Sequence, residues 1–173
     1  MKTFKAFLLT LMSVCLFGMI FLLLFSWLAY GWEEAAGSTL SMVIAGVIML
    51  VLFPLFYKRR LKYLDSKEWT PPVFKDSRYR EYEFDVDRFE FEQFKQFVEE
   101  RFVISGSSNN TLKFRQKFTL WSWGAGAFLN YDRDAGKIKV HYFPISGYTR
   151  HATMAVKKMD NSVEELIRRS LNS

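Results

Sequence analysis

The chain has 173 residues, half of them hydrophobic, with 24 basic and 18 acidic side chains and a net charge of +6. A single cysteine excludes an internal disulfide framework. The overall average conceals an apolar first third and a polar remainder that is long enough for one small domain.

Residues 6–30 and 40–57 are two apolar runs without a charged side chain. A helix needs about 20 apolar residues to cross the hydrocarbon core. The pair therefore predicts a transmembrane hairpin over residues 1–60. Lys2 and Lys5 precede the first run, and Lys58, Arg59, Arg60 and Lys62 follow the second as topology anchors. Between the runs lie Glu33 and Glu34 and no basic residue. The positive-inside rule then puts both termini in the cytoplasm of a two-pass protein of the cell (inner or plasma) membrane, with residues 31–39 as a short acidic outer loop. Trp27, Tyr30 and Trp32 suit the outer interface, and Tyr57 and Tyr63 the inner one. A cleaved signal peptide is disfavoured, because the first run is longer than its usual apolar region of about 7–15 residues. Gly37, Ser41 and Ala45 recur every fourth residue, a spacing that lets a partner helix approach closely.

Residues 61–77 read as a juxtamembrane connector, with Trp69 expected at the lipid surface and Pro71-Pro72 breaking any helix. Residues 78–173 read as a cytoplasmic α+β domain, an antiparallel sheet with two helices. It opens with a strand in which Tyr82, Phe84 and Val86 alternate with acidic residues. Asp87 and Glu90 form a capping-box pattern for a helix to about Arg101, with Phe91, Phe94, Phe97 and Val98 as its apolar stripe. After a turn at residues 106–110, a second strand carries Leu112 and Phe114 on one face, with Phe118 in line if the strand continues. Lys113, Arg115 and Lys117 share the opposite face, a basic comb that is either a solvated sheet surface or a contact for lipid or a partner. Gly124 and Gly126 suggest a bulge or a close backbone approach, not a phosphate loop, since no Gly-Lys-Ser/Thr follows. Trp121 and Trp123 fit either a core or an exposed patch. Residues 132–137 read as a hairpin turn and 137–145 as its second strand; residues 146–156 suggest a less regular strand. Ser162 and Glu165 form a second capping-box pattern, opening a short final helix with Val163, Leu166, Ile167 and Leu171 on one side.

No residue pattern here points to catalysis, a cofactor or a metal. The cytoplasmic part has no cysteine, and its two histidines lack zinc-site spacing. The expected function is that of a non-enzymatic membrane-anchored adaptor or a regulatory or accessory subunit, whose cytoplasmic domain binds another membrane or cytoplasmic protein. A subunit of a membrane complex and a toxin-immunity protein are two concrete versions. The alternative is a domain that binds anionic lipid or acts as an enzyme at the membrane surface. The basic excess lies in the cytoplasmic part, where tethering favours bilayer lipid or an acidic protein over nucleic acid.

Overall fold

The computed structural model describes residues 2–84, 89–119, 124–146 and 150–171, without the side chains at 2, 30, 32–40, 42, 49, 50, 53, 54, 56 and 150–152. The chain begins with two long helices, α1 (Lys2–Tyr30) and α2 (Trp32–Asp65). They fold back on each other at Gly31, whose φ of 86° lies in the left-handed region that glycine enters without a Cβ penalty. The outer loop expected at residues 31–39 is thus reduced to one residue, and α2 starts at Trp32. At its other end α2 continues to Asp65, through the start of the expected connector. Within α1, Thr3–Ala29 is long and apolar enough to cross a membrane, the one such helix among the described residues. The second expected span falls partly on side chains outside the description.

The remainder is a five-stranded antiparallel sheet with two helices on one face. Strand β1 (Arg78–Glu83) leads to α3 (Phe91–Arg101), followed by β2 (Val103–Ser108), β3 (Thr111–Arg115), β4 (Ala125–Asp132), β5 (Lys137–Pro144) and α4 (Arg150–Leu171). The spatial order is β1-β5-β4-β3-β2. Consecutive hairpins build β2 to β5, and α3 carries the chain from β1 at one edge to β2 at the other. The turn from β4 to β5 is the predicted one: Gly136 has φ 61° and the Ala135 N–H donates to Asp132 Oδ1 at 3.2 Å.

Alternation along the strands gives two apolar faces. Leu112, Phe114, Ala127, Leu129, Ile138, Val140 and Tyr142 pack against Phe94 and Val98 of α3 and Met159, Val163 and Leu166 of α4. Phe94 is fully buried, as its place in the stripe predicts. Phe128, Phe143 and Ile145 lie in a separate cluster with residues of α1 and α2.

Three local expectations change. Helix α3 begins at Phe91 with Glu90 at its N-cap and no side-chain cap; Val86, Asp87 and Arg88 lie outside the described residues. Residues 150–156, read as irregular strand, are the first turns of α4, so Ser162 is mid-helix and not a cap. The reason is the buried stripe Val156, Met159, Asp160, Val163, Leu166, Ile167 and Ser170, spaced three and four apart, which extends the final helix well upstream of Ser162. Phe118 leaves the Leu112–Phe114 face because β3 ends at Arg115; it packs on Phe7 instead. Trp121 and Trp123 lie outside the described residues.

Candidate functional site

The feature that separates this molecule from a domain on a flexible tether is the seam between the paired helices and the sheet. The beginning of α1 and the end of α2 meet on the sheet face not covered by α3 and α4. Phe7, Leu11, Leu61, Tyr63 and Leu64 pack there with Phe128, Phe143 and Ile145. Phe7 is fully buried, edge-on to Tyr57 and to Phe118 with ring centroids 5.7 Å apart in each case. Tyr63 meets Phe74 at 5.9 Å and Phe143 at 5.6 Å, both edge-on. Such pairs stabilise by about 0.5–1.5 kcal/mol beyond the area they bury.

Polar contacts fix the seam at defined points. The Asp65 carboxylate, at the end of α2, accepts from the Thr3 N–H at 3.0 Å and the Phe4 N–H at 3.2 Å. It therefore caps α1 from another element, satisfying donors that the first turn leaves unpaired. Burial pushes the Asp65 carboxyl up, but hydrogen bonds from the Thr3 side chain and from the Thr3 and Phe4 N–H groups outweigh it and hold its pKa below the ordinary carboxylate value. The Thr3 hydroxyl also lies 3.3 Å from the Ser105 hydroxyl at the β2 bulge. Beyond α2, the strap of residues 66–77 is tied back twice. Tyr63 Oη donates to the Thr70 carbonyl at 2.7 Å, and Arg60 binds both Asp76 oxygens at 2.8 Å while donating to the Pro144 carbonyl.

The basic comb is taken apart by this seam. Lys113 is fully buried, which corrects its reading as a solvent-facing contact for lipid or a partner. Its Nζ donates to the Tyr63 carbonyl at 3.0 Å, the Ser66 carbonyl at 3.2 Å and Ser66 Oγ at 3.1 Å. A cation there meets the negative end of the α2 dipole and adds to the Ser66 cap on the Tyr63 carbonyl. The Tyr63 ring lies 4.2 Å away and Trp69 5.3 Å. Burial lowers the Lys113 pKa. Arg115 is buried too, and the same correction applies: it donates to the Gln116 carbonyl at 3.0 Å and stacks on Phe118 at 4.0 Å. Lys117 lies past the strand and is exposed, so the three cations do not form one surface. Trp69, expected at a lipid surface, covers Gly106, where an added Cβ would meet its ring at 3.2 Å.

Among the anchors, Arg60 is a clamp on Asp76, whereas Lys58, Arg59 and Lys62 are exposed. They border two concavities on either side of the α2 end. One, of about 480 Å³, lies between α2 and the strap, with Arg59, Lys62, Glu68, Val73 and Phe74 in its lining. The other, of about 310 Å³, is lined by Phe4, Lys58, Lys62, Asp65 and Ser66. The expected helix-packing stripe Gly37, Ser41 and Ala45 lies on α2. Ser41 and Ala45 are exposed, and the side-chain surroundings of Gly37 lie outside the description. Gly46 faces α1, and a Cβ built on it would lie 3.3 Å from Met19 Sδ.

A second polar cluster joins β1, β5 and α4. Asp160 is fully buried and accepts from Tyr82 Oη at 2.8 Å and Arg80 Nε at 3.2 Å, with Arg78 at 3.4 Å. Tyr82 Oη is 3.2 Å from Tyr142 Oη. Burial is the main cause that pushes the Tyr82 hydroxyl up to about 12, and it raises Tyr142 further. Both hydroxyls stay protonated and serve as donors, so the cluster is a satisfied buried network. Sequence reasoning missed Asp65, Asp76 and Asp160; each is a lone acid whose partner lies at least sixteen positions away. Among the described residues no group of three or more potential metal ligands occurs. Comparison with protein-family models, with curated proteins and with solved structures yields no match for this chain.

Proposed function

We propose that this chain is a non-enzymatic two-pass membrane protein, an adaptor or accessory subunit that holds its sheet domain in a fixed orientation at the cytoplasmic surface for a protein partner. The seam carries this reading. A domain on a loose tether samples many orientations, whereas Thr3 with Ser105, Arg60 with Pro144 and Lys113 with Tyr63 join the helical pair to the sheet at three separate points. A partner that touches both the bilayer-embedded helices and the domain is then met by a preorganised surface, which lowers the entropic cost of binding. Within α1, Leu16, Phe17, Phe21, Leu24, Phe25 and Leu28 are exposed and form a face for lipid or for another membrane helix. A membrane-complex subunit and a toxin-immunity protein both fit this description.

Two measurements test it. Cysteines placed at Ser38 and Ser173 should differ in labelling from outside intact cells, the first reactive and the second protected; labelling of Ser173→Cys from outside rejects the two-pass topology. Purification of membranes in mild detergent should yield this chain in a stable stoichiometric complex. Recovery of the chain alone, with no stoichiometric protein partner, favours the alternative, a lipid-binding or membrane-surface enzyme domain.

A further inference from the structure

The two concavities beside the end of α2 combine three features that point to one ligand class. The first is depth. A 34-residue helix is about 51 Å long at 1.5 Å per residue, well beyond the roughly 30 Å of a hydrocarbon core. In the proposed hairpin, the last turns of α2 therefore stand at the headgroups of the cytoplasmic leaflet. The second is charge. Arg59 and Lys62 are exposed three apart on α2, so they share a side of the helix at the first concavity, while Lys58 is exposed at the second. Among the described residues none of the three has an ion-pair partner. Of the nearby acids, Asp65 caps α1 and Asp76 pairs with Arg60, while Glu68 in the groove lining accepts from the Thr70 hydroxyl at 2.8 Å and keeps its charge. The third is an apolar continuation. Val73 is 90% exposed on the strap, and Val51, Leu52 and Leu55 are exposed one to two turns back along α2. An acyl chain could follow that track while its phosphate remains at the cations.

We propose that the groove between the end of α2 and residues 68–74 binds one anionic phospholipid, with Arg59 and Lys62 holding its phosphate. The lipid would lie against the strap and the helix at once, bracing the seam from its open side. This inference rests on the hairpin reading, not on the adaptor reading. Labelling at Ser38 tests the hairpin separately, so a failure of the lipid site remains distinguishable from a failure of the topology.

The test uses the full chain in neutral detergent, titrated with phosphatidylglycerol, phosphatidylcholine or soluble glycerol 3-phosphate and read by native mass spectrometry. Phosphatidylglycerol should be retained about tenfold better than phosphatidylcholine, as expected for two cations at an anionic headgroup. Arg59→Gln with Lys62→Gln should abolish that preference, and Arg59→Lys with Lys62→Arg should restore most of it. Lys117→Gln with Lys157→Gln removes two exposed cations outside the groove and should change nothing. Should the first double variant fail to fold, Val73→Asp, at an exposed position, should weaken phosphatidylglycerol retention by itself. Equal retention of the two lipids overturns the proposal. So does undiminished phosphatidylglycerol binding by the Gln double variant, or by Val73→Asp where that variant is the one read. Displacement by equimolar glycerol 3-phosphate also overturns it, because the site would then recognise a soluble phosphate compound.

Discussion

Individual residues in this protein act mostly through what they meet across long stretches of chain. Asp65 shows this most directly. Its pKa lies below the ordinary carboxylate value in the folded protein because it accepts from the Thr3 side chain and from the Thr3 and Phe4 N–H groups, which outweighs the effect of burial. As pH falls, the unfolded chain takes up this proton first. The stability Asp65 contributes is therefore fully present above the unfolded pKa, about 3.9, and is lost as pH falls through the folded one. Thermal unfolding of the full chain between about pH 3 and 6 should accordingly show a steeper acid loss for wild type than for Asp65→Asn; parallel curves would remove the cap from the energetics. Lys113 makes the same point from the other side. A lysine in a strand that alternates with Leu112 and Phe114 reads as solvent-facing, yet helix carbonyls fifty residues away receive it.

At the scale of elements, the sheet is packed on both faces, and each face has a test. On the α3–α4 side, Phe94 is fully buried between helix and sheet. Phe94→Ala should cost about 3–5 kcal/mol, measured by denaturant unfolding of the full chain. On the seam side, Gly126 lies directly under Phe143, and an added Cβ would come within 2.7 Å of that ring. Phe143 cannot retreat easily, because Tyr63 and Phe74 hold it from the other side at 5.6 and 5.1 Å. Gly126→Ala, a substitution that is mild in most strands, should here destabilise by about 1–3 kcal/mol through overpacking. A melting point within a degree or two of wild type would mean that the ring stack yields. The close approach at this glycine was legible in the sequence as a possibility; its partner was not, because Phe143 is seventeen residues away and reaches it across the β4–β5 register.

The whole molecule behaves as one body by the same reasoning. Residues 75–173 contain every strand and look self-sufficient in sequence. Cut from α1 and α2, however, that fragment would expose Phe128, Phe143 and Ile145 together and leave Lys113 without the carbonyls it caps. Contiguous apolar surface of this kind drives association. The fragment should elute as aggregates or bind a hydrophobic dye, whereas the full chain in detergent should remain monodisperse or in a defined complex. A soluble, monomeric fragment with the full chain's sheet signal in far-ultraviolet dichroism would show the seam to be dispensable.

What the sequence alone determined follows from periodicity and local chemistry. Charge-free apolar runs marked the front of the chain as helical and lipid-compatible, and period-two alternation with glycine turns marked the strands and the β4–β5 hairpin. The stripe Phe91, Phe94 and Val98 marked a core helix, because helix and strand periods differ and can be read over a few residues. Only the tertiary structure decided which face of the sheet is solvated, and its answer is that β3 and the first half of β4 are covered on both faces. Period-two alternation says that two faces differ; it cannot say that a second layer covers the more polar one. Here the covering layer is the paired helices, whose own sequence signal points to lipid. The residues that fix this layer, Asp65 between the two helices, Arg60 and Asp76 at the strap and Lys113 from the sheet, are charged, and as isolated charges they read as surface until their distant partners are in place.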